Sequence, residues 1–271
     1  VGKHVDQLSE ALERLERDLL VVVTGAGISL ASGIPTFRGT DPGAIWKHDV
    51  LELGTFDYFR RDPVGSWRWY LERFDHVLGK KPNDAHYAIA ALERWQLDRG
   101  GRFLLVTQNI DTLHEDAGSR QMVKVHGTAD RVRCARVGCR HGAPSGSLPR
   151  SEAKIEEFLA DPSTDTLPRC PECGDVLRQH LLWFDEYYNE HRDYQWDRVQ
   201  DAALRMSFGL FVGTSFSVGV TDLFLRAGLG IGIPLWSIDP GDSPLPVPGL
   251  TLLPEKAEEL LPAVCKRLGA V

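Results

Sequence analysis

The chain has 271 residues, 42% of them hydrophobic and 25% charged, and a formal net charge of −7. That length holds one large domain, or one domain with a smaller insert, in an ordinary globular composition. The acidic balance argues against a general affinity for nucleic acid or anionic membrane, and apolar runs such as Leu19–Val23 are far too short to span a bilayer.

His4–Arg17 reads as an amphipathic helix, with Val5, Leu8, Leu12 and Leu15 at helical spacing. No basic region followed by an apolar one precedes it, so a cytoplasmic soluble protein is expected. Leu19–Thr24 is a continuous β-branched run, the mark of a strand buried on both faces. Similar runs recur at Phe103–Val106, Leu210–Val212 and Pro234–Ile238, with helical segments between them, such as Ala85–Trp95 and Asp222–Ala227. This alternation predicts an α/β fold with a doubly wound parallel sheet, whose ligands bind beyond the carboxyl ends of the strands. Two segments break the rhythm. Thr40–Lys81 is aromatic and charged, with Asp62-Pro63 opening a helix through Phe74, and Arg131–Asp175 lacks a periodic core pattern. Both read as insertions forming a small second domain.

Four of the five cysteines fall in two knuckles, Cys134-x4-Cys139 and Cys170-Pro171-Glu172-Cys173. Two knuckles complete the tetrahedral sulfur shell that zinc prefers, and with all four positions filled the ion is structural. The first gap is wider than usual, and His141 stands close enough to be a rival ligand. The metal would supply the folding energy that so small an insert lacks.

Strand ends carry the other chemistry. Gly25-Ala26-Gly27 after the first strand departs from G-x-G-x-x-G, since Leu30 occupies the third glycine position, but Ser32-Gly33-Ile34-Pro35-Thr36-Phe37-Arg38 follows it. Amides of Gly25–Gly27 at a helix start favour phosphate, and Arg38 can add charge-assisted hydrogen bonds. Thr107–Asp111 places Gln108, Asn109 and Asp111 where a buried strand gives way to a helix; Gly213, Thr214 and Ser215 follow another strand, and Asp239 ends a further one. Asp239 can accept from ribose hydroxyls.

Gly25-Ala26-Gly27-Ile28-Ser29, the Ser32–Gly39 segment, Thr107–Asp111, His126-Gly127 and the two knuckles follow one another as in the sirtuins, NAD-dependent protein deacylases. The chain resembles that family from about Leu19 to Ala263, and its acidic-acyl bacterial branch in particular. The resemblance implies a Rossmann-like NAD-binding domain (residues 1–39, 82–128 and 181–271) and a small domain made of a helical insert (40–81) and a zinc-binding insert (129–180). It also implies roles. His126 would be the general base, acting through the ribose hydroxyls after nicotinamide leaves, with an ordinary histidine pKa near 6.5 suiting that task. Asn109 would hold the nicotinamide ribose and a water, Asp111 would accept from the carboxamide, and Gln108 would contact the ribose. Arg38 would meet phosphate and ribose, with Phe37 shielding the reactive face. Gly25, Ala26, Gly27, Ser29, Thr36, Gly213, Thr214, Ser215, Asp239, Lys256 and Ala257 complete the implied cofactor set, and His114 reads as structural. The implied reaction passes the acyl group of acyl-lysine to ADP-ribose with release of nicotinamide.

Acidic-acyl relatives carry Tyr-x-x-Arg and a threonine in the Gly-Ile-Pro segment; here stand Tyr70, Arg73 and Thr36. Tyr70 and Arg73 share a helix face, and arginine's fork matches a carboxylate. Against this, Leu51 follows Asp49-Val50 where such relatives have alanine. Trp183, Phe184 and Val218 belong to the segments that grip peptide, expected as an added β-strand between Trp183–Glu186 and Ser217–Val220. Asp185 stands where glycine is usual, and is expected to disfavour acidic neighbours on the peptide. Rival readings are a mono-ADP-ribosyltransferase or NAD glycohydrolase on the same scaffold, an NAD dehydrogenase, and a nucleic-acid module using Arg131, Arg133, Arg136 and Arg140 around the first knuckle. Oligomeric state is not legible.

Overall fold

Strand β1 (Leu19–Thr24) is buried along its whole length, and its side chains alternate between two cores. In this computed structural model, residues 2–36, 50–216, 219–241 and 247–271 are described. The strands of the main sheet are β1, β2 (Arg102–Thr107), β3 (Met122–Lys124), β7 (Phe208–Val212), β8 (Leu235–Ile238) and β9 (Leu250–Leu253), all parallel, in the order β3-β2-β1-β7-β8-β9. Counting only these strands, the order is 3-2-1-4-5-6, with the switch point between β1 and β7. In such a sheet ligands bind beyond the carboxyl ends of the strands, around that switch point.

The helices in chain order are α1 (Gly2–Glu13), α2 (Val50–Leu53), α3 (Phe56–Arg61), α4 (Pro63–Phe74), α5 (Asp84–Asp98), α6 (Leu113–Asp116), α7 (Ile155–Ala160), α8 (Trp196–Arg205), α9 (Gly219–Ile231) and α10 (Ala257–Leu268). Leu20, Val22, Phe103, Leu105 and Leu210 pack with α1, α5 and α10 on one face. Val21, Val23, Leu104, Val106 and Phe211 pack with α8 and α9 on the other. Helix α1 ends four residues before the expected Arg17, because Glu16 adopts φ 54 to turn the chain into β1. Among the described residues, no helix is long and apolar enough to cross a membrane.

A second, antiparallel sheet is formed by β4 (Gly127–Cys134), β5 (Leu148–Pro149) and β6 (Leu177–Leu181), in the order β5-β4-β6. It shares a third core with α3, α4 and α7, built on Trp67, Phe158, Leu177 and Trp183. This sheet was not expected. Its strands are short, and β4 carries a register shift between Gly127 and Val132, so no alternating pattern marks them. Only Val125 and His126 separate β3 from β4, and the Leu182 amide, just past β6, donates to the His126 carbonyl at 3.0 Å.

Candidate active site

The loops after β1 and β7 interlock at the switch point. The Gly25 amide donates to the Val212 carbonyl at 3.1 Å and the Gly27 amide to the Gly213 carbonyl at 2.9 Å. A Cβ on Gly25 would lie 2.8 Å from the Gly213 carbonyl oxygen, and one on Gly213, whose φ is +58, would lie 2.4 Å from the Ile28 nitrogen. The segment after Gly25 is a 3-10 helix over Ala26–Ser32, not an α-helix. The amides expected to favour phosphate therefore start a 3-10 turn. Two of those amides are already committed, and the glycines are there for close approach.

Polar side chains continue the crevice along β2. The Gln108 side-chain amide donates to the Thr24 carbonyl at 3.2 Å and to Thr214 Oγ1 at 3.3 Å, joining three strand ends. Asn109, buried, donates to the Gly25 carbonyl at 3.1 Å and to Ser29 Oγ at 3.3 Å. Ser29 in turn donates to Asp111 Oδ2 at 3.0 Å, while Asp111 Oδ1 accepts from the Leu113 amide, the first of α6, at 3.1 Å. Burial raises the Asp111 pKa, against the lowering effect of the Leu113 amide, the Ser29 hydroxyl and Lys124. His114 is buried behind this chain, its Nε2 at 3.1 Å from Thr24 Oγ1, in keeping with a structural role.

His126 lies beside the same edge. Its Nδ1–H donates to the Gln108 carbonyl at 2.9 Å, and since a carbonyl only accepts, the neutral ring carries its lone pair on Nε2. Burial holds its pKa below the ordinary histidine value, partly offset by the Gln108 carbonyl. The expected unperturbed pKa is therefore corrected downward. The Tyr188 hydroxyl stands 3.3 Å from Nε2.

The remaining cofactor candidates are placed less tightly. Asp239 follows β8 and accepts the Gly241 amide at 2.8 Å; Lys256 pairs with Glu259 at 3.4 Å just before α10, whose first residue, Ala257, is buried. Thr214 is buried and Ser215 exposed. Thr36 closes its described segment, while Phe37, Arg38 and Val218 lie outside the described residues.

Tyr70 and Arg73 sit on α4. The Tyr70 ring stacks on Trp183, centroids 5.5 Å apart and 18° inclined, and the Arg73 guanidinium lies over Trp69 at 5.0 Å. Leu51 is 59% exposed. Phe184 is half-exposed, and residues 184–185 form a turn closed by the Glu186 amide on the Trp183 carbonyl at 3.0 Å. An extended edge over Trp183–Glu186 is thus not what the backbone adopts, because the Phe184 amide is drawn to the Gly54 carbonyl at 3.1 Å. Exposed Asp185 accepts the Phe56 amide at 2.7 Å and the Asp57 amide at 3.0 Å, at the start of α3.

Sequence reasoning missed Arg178, Glu186, Tyr188 and Trp196, for which no motif spacing gives a signal. Buried Arg178 lies 3.4 Å over the Trp183 ring and donates to Glu186 Oε2 at 2.8 Å, while Arg133 donates to Glu186 Oε1 at 2.9 Å. Burial alone would raise the Glu186 carboxyl; the two guanidinium groups hold it below the usual carboxylate range.

The four knuckle sulfurs lie within 4.8 Å of one another, with Cys134–Cys173 at 3.5 Å and Cys139–Cys170 at 3.7 Å. Zinc–sulfur bonds of about 2.3 Å in a tetrahedron set sulfurs roughly 3.8 Å apart. The cluster fits structural zinc. His141 is not in it; its carbonyl accepts the Cys134 amide at 2.6 Å. The arginines around the first knuckle are engaged: Arg133 by Glu186, Arg136 by Asp175 at 3.9 Å, Arg140 by Glu172 at 3.8 Å, and Arg131 by Ser147 at 2.8 Å. They do not form an unpaired basic patch. A second ligand-grade group, His180, His191 and Asp193, is closed by its own hydrogen bonds. His180 Nε2–H donates to Asp193 at 3.0 Å, the Asp193 amide donates to His191 Nδ1 at 3.2 Å, and Arg131 and Arg133 make the surroundings unfavourable to a further cation.

Residues 25–220 match the family model described as Sir2 family. The chain is 41% identical over 243 residues to a protein of Thermus thermophilus named NAD-dependent protein deacylase, covering 89% of this chain and 87% of that one. A solved structure described as a Sir2 homolog–NAD complex superposes with a TM-score of 0.77 at 33% identity, over 97% of this chain and 93% of the other. Another, a Sir2 with a deacetylated p53 peptide and 3′-O-acetyl-ADP-ribose, gives 0.78 at 27% identity over 98% and 99%. With a parallel sheet in this order, polar groups joined across its switch point and a four-sulfur knuckle pair, the chain belongs to the Sir2 family.

Proposed function

We propose that the chain is an NAD-dependent protein-lysine deacylase. The observation that carries this reading is the Nε2 lone pair of neutral, half-buried His126, set beside the hydrogen-bonded Asn109–Ser29–Asp111 chain at the switch point of a Sir2-family sheet. The interlocked Gly25, Gly27 and Gly213, where any Cβ would intrude, support a close-fitting cradle for the dinucleotide. Ala26, Ser29, Thr36, Gln108, Asn109, Asp111, Thr214, Ser215, Asp239, Lys256 and Ala257 are the described residues assigned to hold it, with Phe37 and Arg38 as further contacts. When bound, NAD supplies the ADP-ribose to which the acyl group passes. His126 accepts a proton from a ribose hydroxyl at Nε2, and the Gln108 carbonyl keeps the ring in the tautomer that allows it. Asp111, held by Ser29 and the Leu113 amide, orients the carboxamide side.

The same reading assigns residues 1–39, 82–128 and 181–271 to the NAD-binding domain and the two inserts to the small domain, which the two sheets and their separate cores support. A cytoplasmic location suits four cysteines held as metal-ligating thiols. The substrate is acyl-lysine on proteins. Binding as an added strand between residues 183–186 and 217–220 requires the turn at 184–185 to open.

For the acyl group we infer a preference for acidic chains. Tyr70 against Trp183, with Arg73 on the same helix, supports it. Arg73→Met is expected to cut succinyl-lysine turnover while sparing acetyl-lysine; equal loss on both refutes the preference. The function itself is tested by nicotinamide release from NAD with acetyl-, malonyl- and succinyl-lysine peptides. Release should need the peptide, and His126→Ala should lower deacylation by about 10²–10⁴-fold. Release without acyl-peptide would instead favour the glycohydrolase or ADP-ribosyltransferase reading.

A further inference from the structure

Nε2 of His126 has one in-plane lone pair, and the structure already gives it a partner. The Tyr188 hydroxyl stands 3.3 Å away, and with Nδ1–H committed to Gln108 the tyrosine is the donor. Its ring lies 5.9 Å from the imidazole at 22°, and is backed by Trp196 at 4.2 Å and 12°, so three rings stack from the base out to the start of α8. Burial pushes the Tyr188 phenol up to about 12, which keeps it a proton donor across the neutral range. The residue rides on a 3-10 turn, Tyr188–Glu190, closed by the Glu190 amide on the Tyr187 carbonyl at 3.1 Å. Tyr187 beside it is 71% exposed, whereas Glu186 is fixed by two guanidinium groups. The turn is a surface element hinged on an anchored residue.

We propose that Tyr188 is a placeholder on the base. Its hydroxyl holds the His126 lone pair and ring orientation, and yields that atom to the ribose hydroxyl when nucleotide binds. The proposal rests on the deacylase reading for the identity of the incoming hydroxyl, but not for the contact itself. One lone pair cannot serve two donors at full strength, so a hydroxyl that passes its proton to Nε2 must displace the tyrosine. Tyr188 is then a positioning residue.

The contact has a signature in the base. A donor on the neutral ring disfavours the imidazolium form. The other influences on His126 are burial and the Gln108 carbonyl, and no charged group among the described residues contributes. In the protein alone, Tyr188→Phe, which keeps the ring stack, should raise the His126 pKa by about half a unit or more, read by NMR titration of the imidazole. Saturating ADP-ribose should erase the difference between the two proteins. A purely structural role for Tyr188 would instead lower the thermal stability of the variant and leave the His126 pKa unchanged. An unchanged pKa in the protein alone overturns the contact. A difference that persists undiminished with ADP-ribose bound overturns the displacement. Failure of ADP-ribose to bind either protein refutes the nucleotide reading and removes the displacement with it, while a shift in the protein alone would leave the contact standing.

Discussion

A base that works by accepting a proton is lost when it is protonated beforehand. Burial keeps His126 below the ordinary histidine pKa, so the active, neutral form persists as pH falls below about 6.5. The acid limb of kcat/KM for deacylation is therefore expected below about pH 6.5, and a limb above 7 would contradict the burial argument. At the same scale, Asp111→Ala leaves the Ser29 hydroxyl and the Leu113 amide without their shared acceptor. We expect a loss of about 1–2 kcal/mol in denaturant unfolding, together with weaker nucleotide binding. Gln108, Asn109 and Asp111 were legible in sequence because three short polar residues at the end of a buried strand have few bland explanations. Tyr188 was not, since what brings it to His126 is a turn some sixty positions downstream whose course depends on the small sheet.

At the scale of elements, two ties hold the small sheet and its helices. Asp185, at the surface just past β6, accepts the first two amides of α3, together worth roughly 1 kcal/mol; Asp185→Ala should lower unfolding stability by that much. The zinc knuckles are the second tie. Because β4 carries Cys134 and β6 begins four residues after Cys173, losing the metal should loosen the β4–β6 ladder before the main sheet. Hydrogen exchange with and without chelator checks this: equal protection in both sheets after chelation would contradict it. The six-stranded sheet could be foreseen from runs such as Leu19–Thr24, since burial on both faces leaves a continuous apolar signature. The small sheet could not. Parts of β4 and β6 answer to a bulge, a knuckle or a buried ion pair such as Arg178–Glu186, and none of these has a period.

Over the whole molecule, burial lowers the pKa of His86, His114, His126, His180 and His191, with His86 and His191 held to about 4. The unfolded chain takes up these protons near pH 6.5, while the folded chain resists them. Stability is thus complete above about pH 6.5 and is lost as pH falls towards 4. Asp111, raised by burial, works in the opposite sense, whereas lowered Glu186 and Asp193 add to the loss in the carboxylate range. Tm should fall steadily from pH 6.5 to 4, and a flat profile would contradict the assignment. The passage from β3 to β4 and the chain leaving β6 are bonded to each other at His126. Strain between the two sheets is therefore carried through the backbone of the same residue whose imidazole is held by the Gln108 carbonyl.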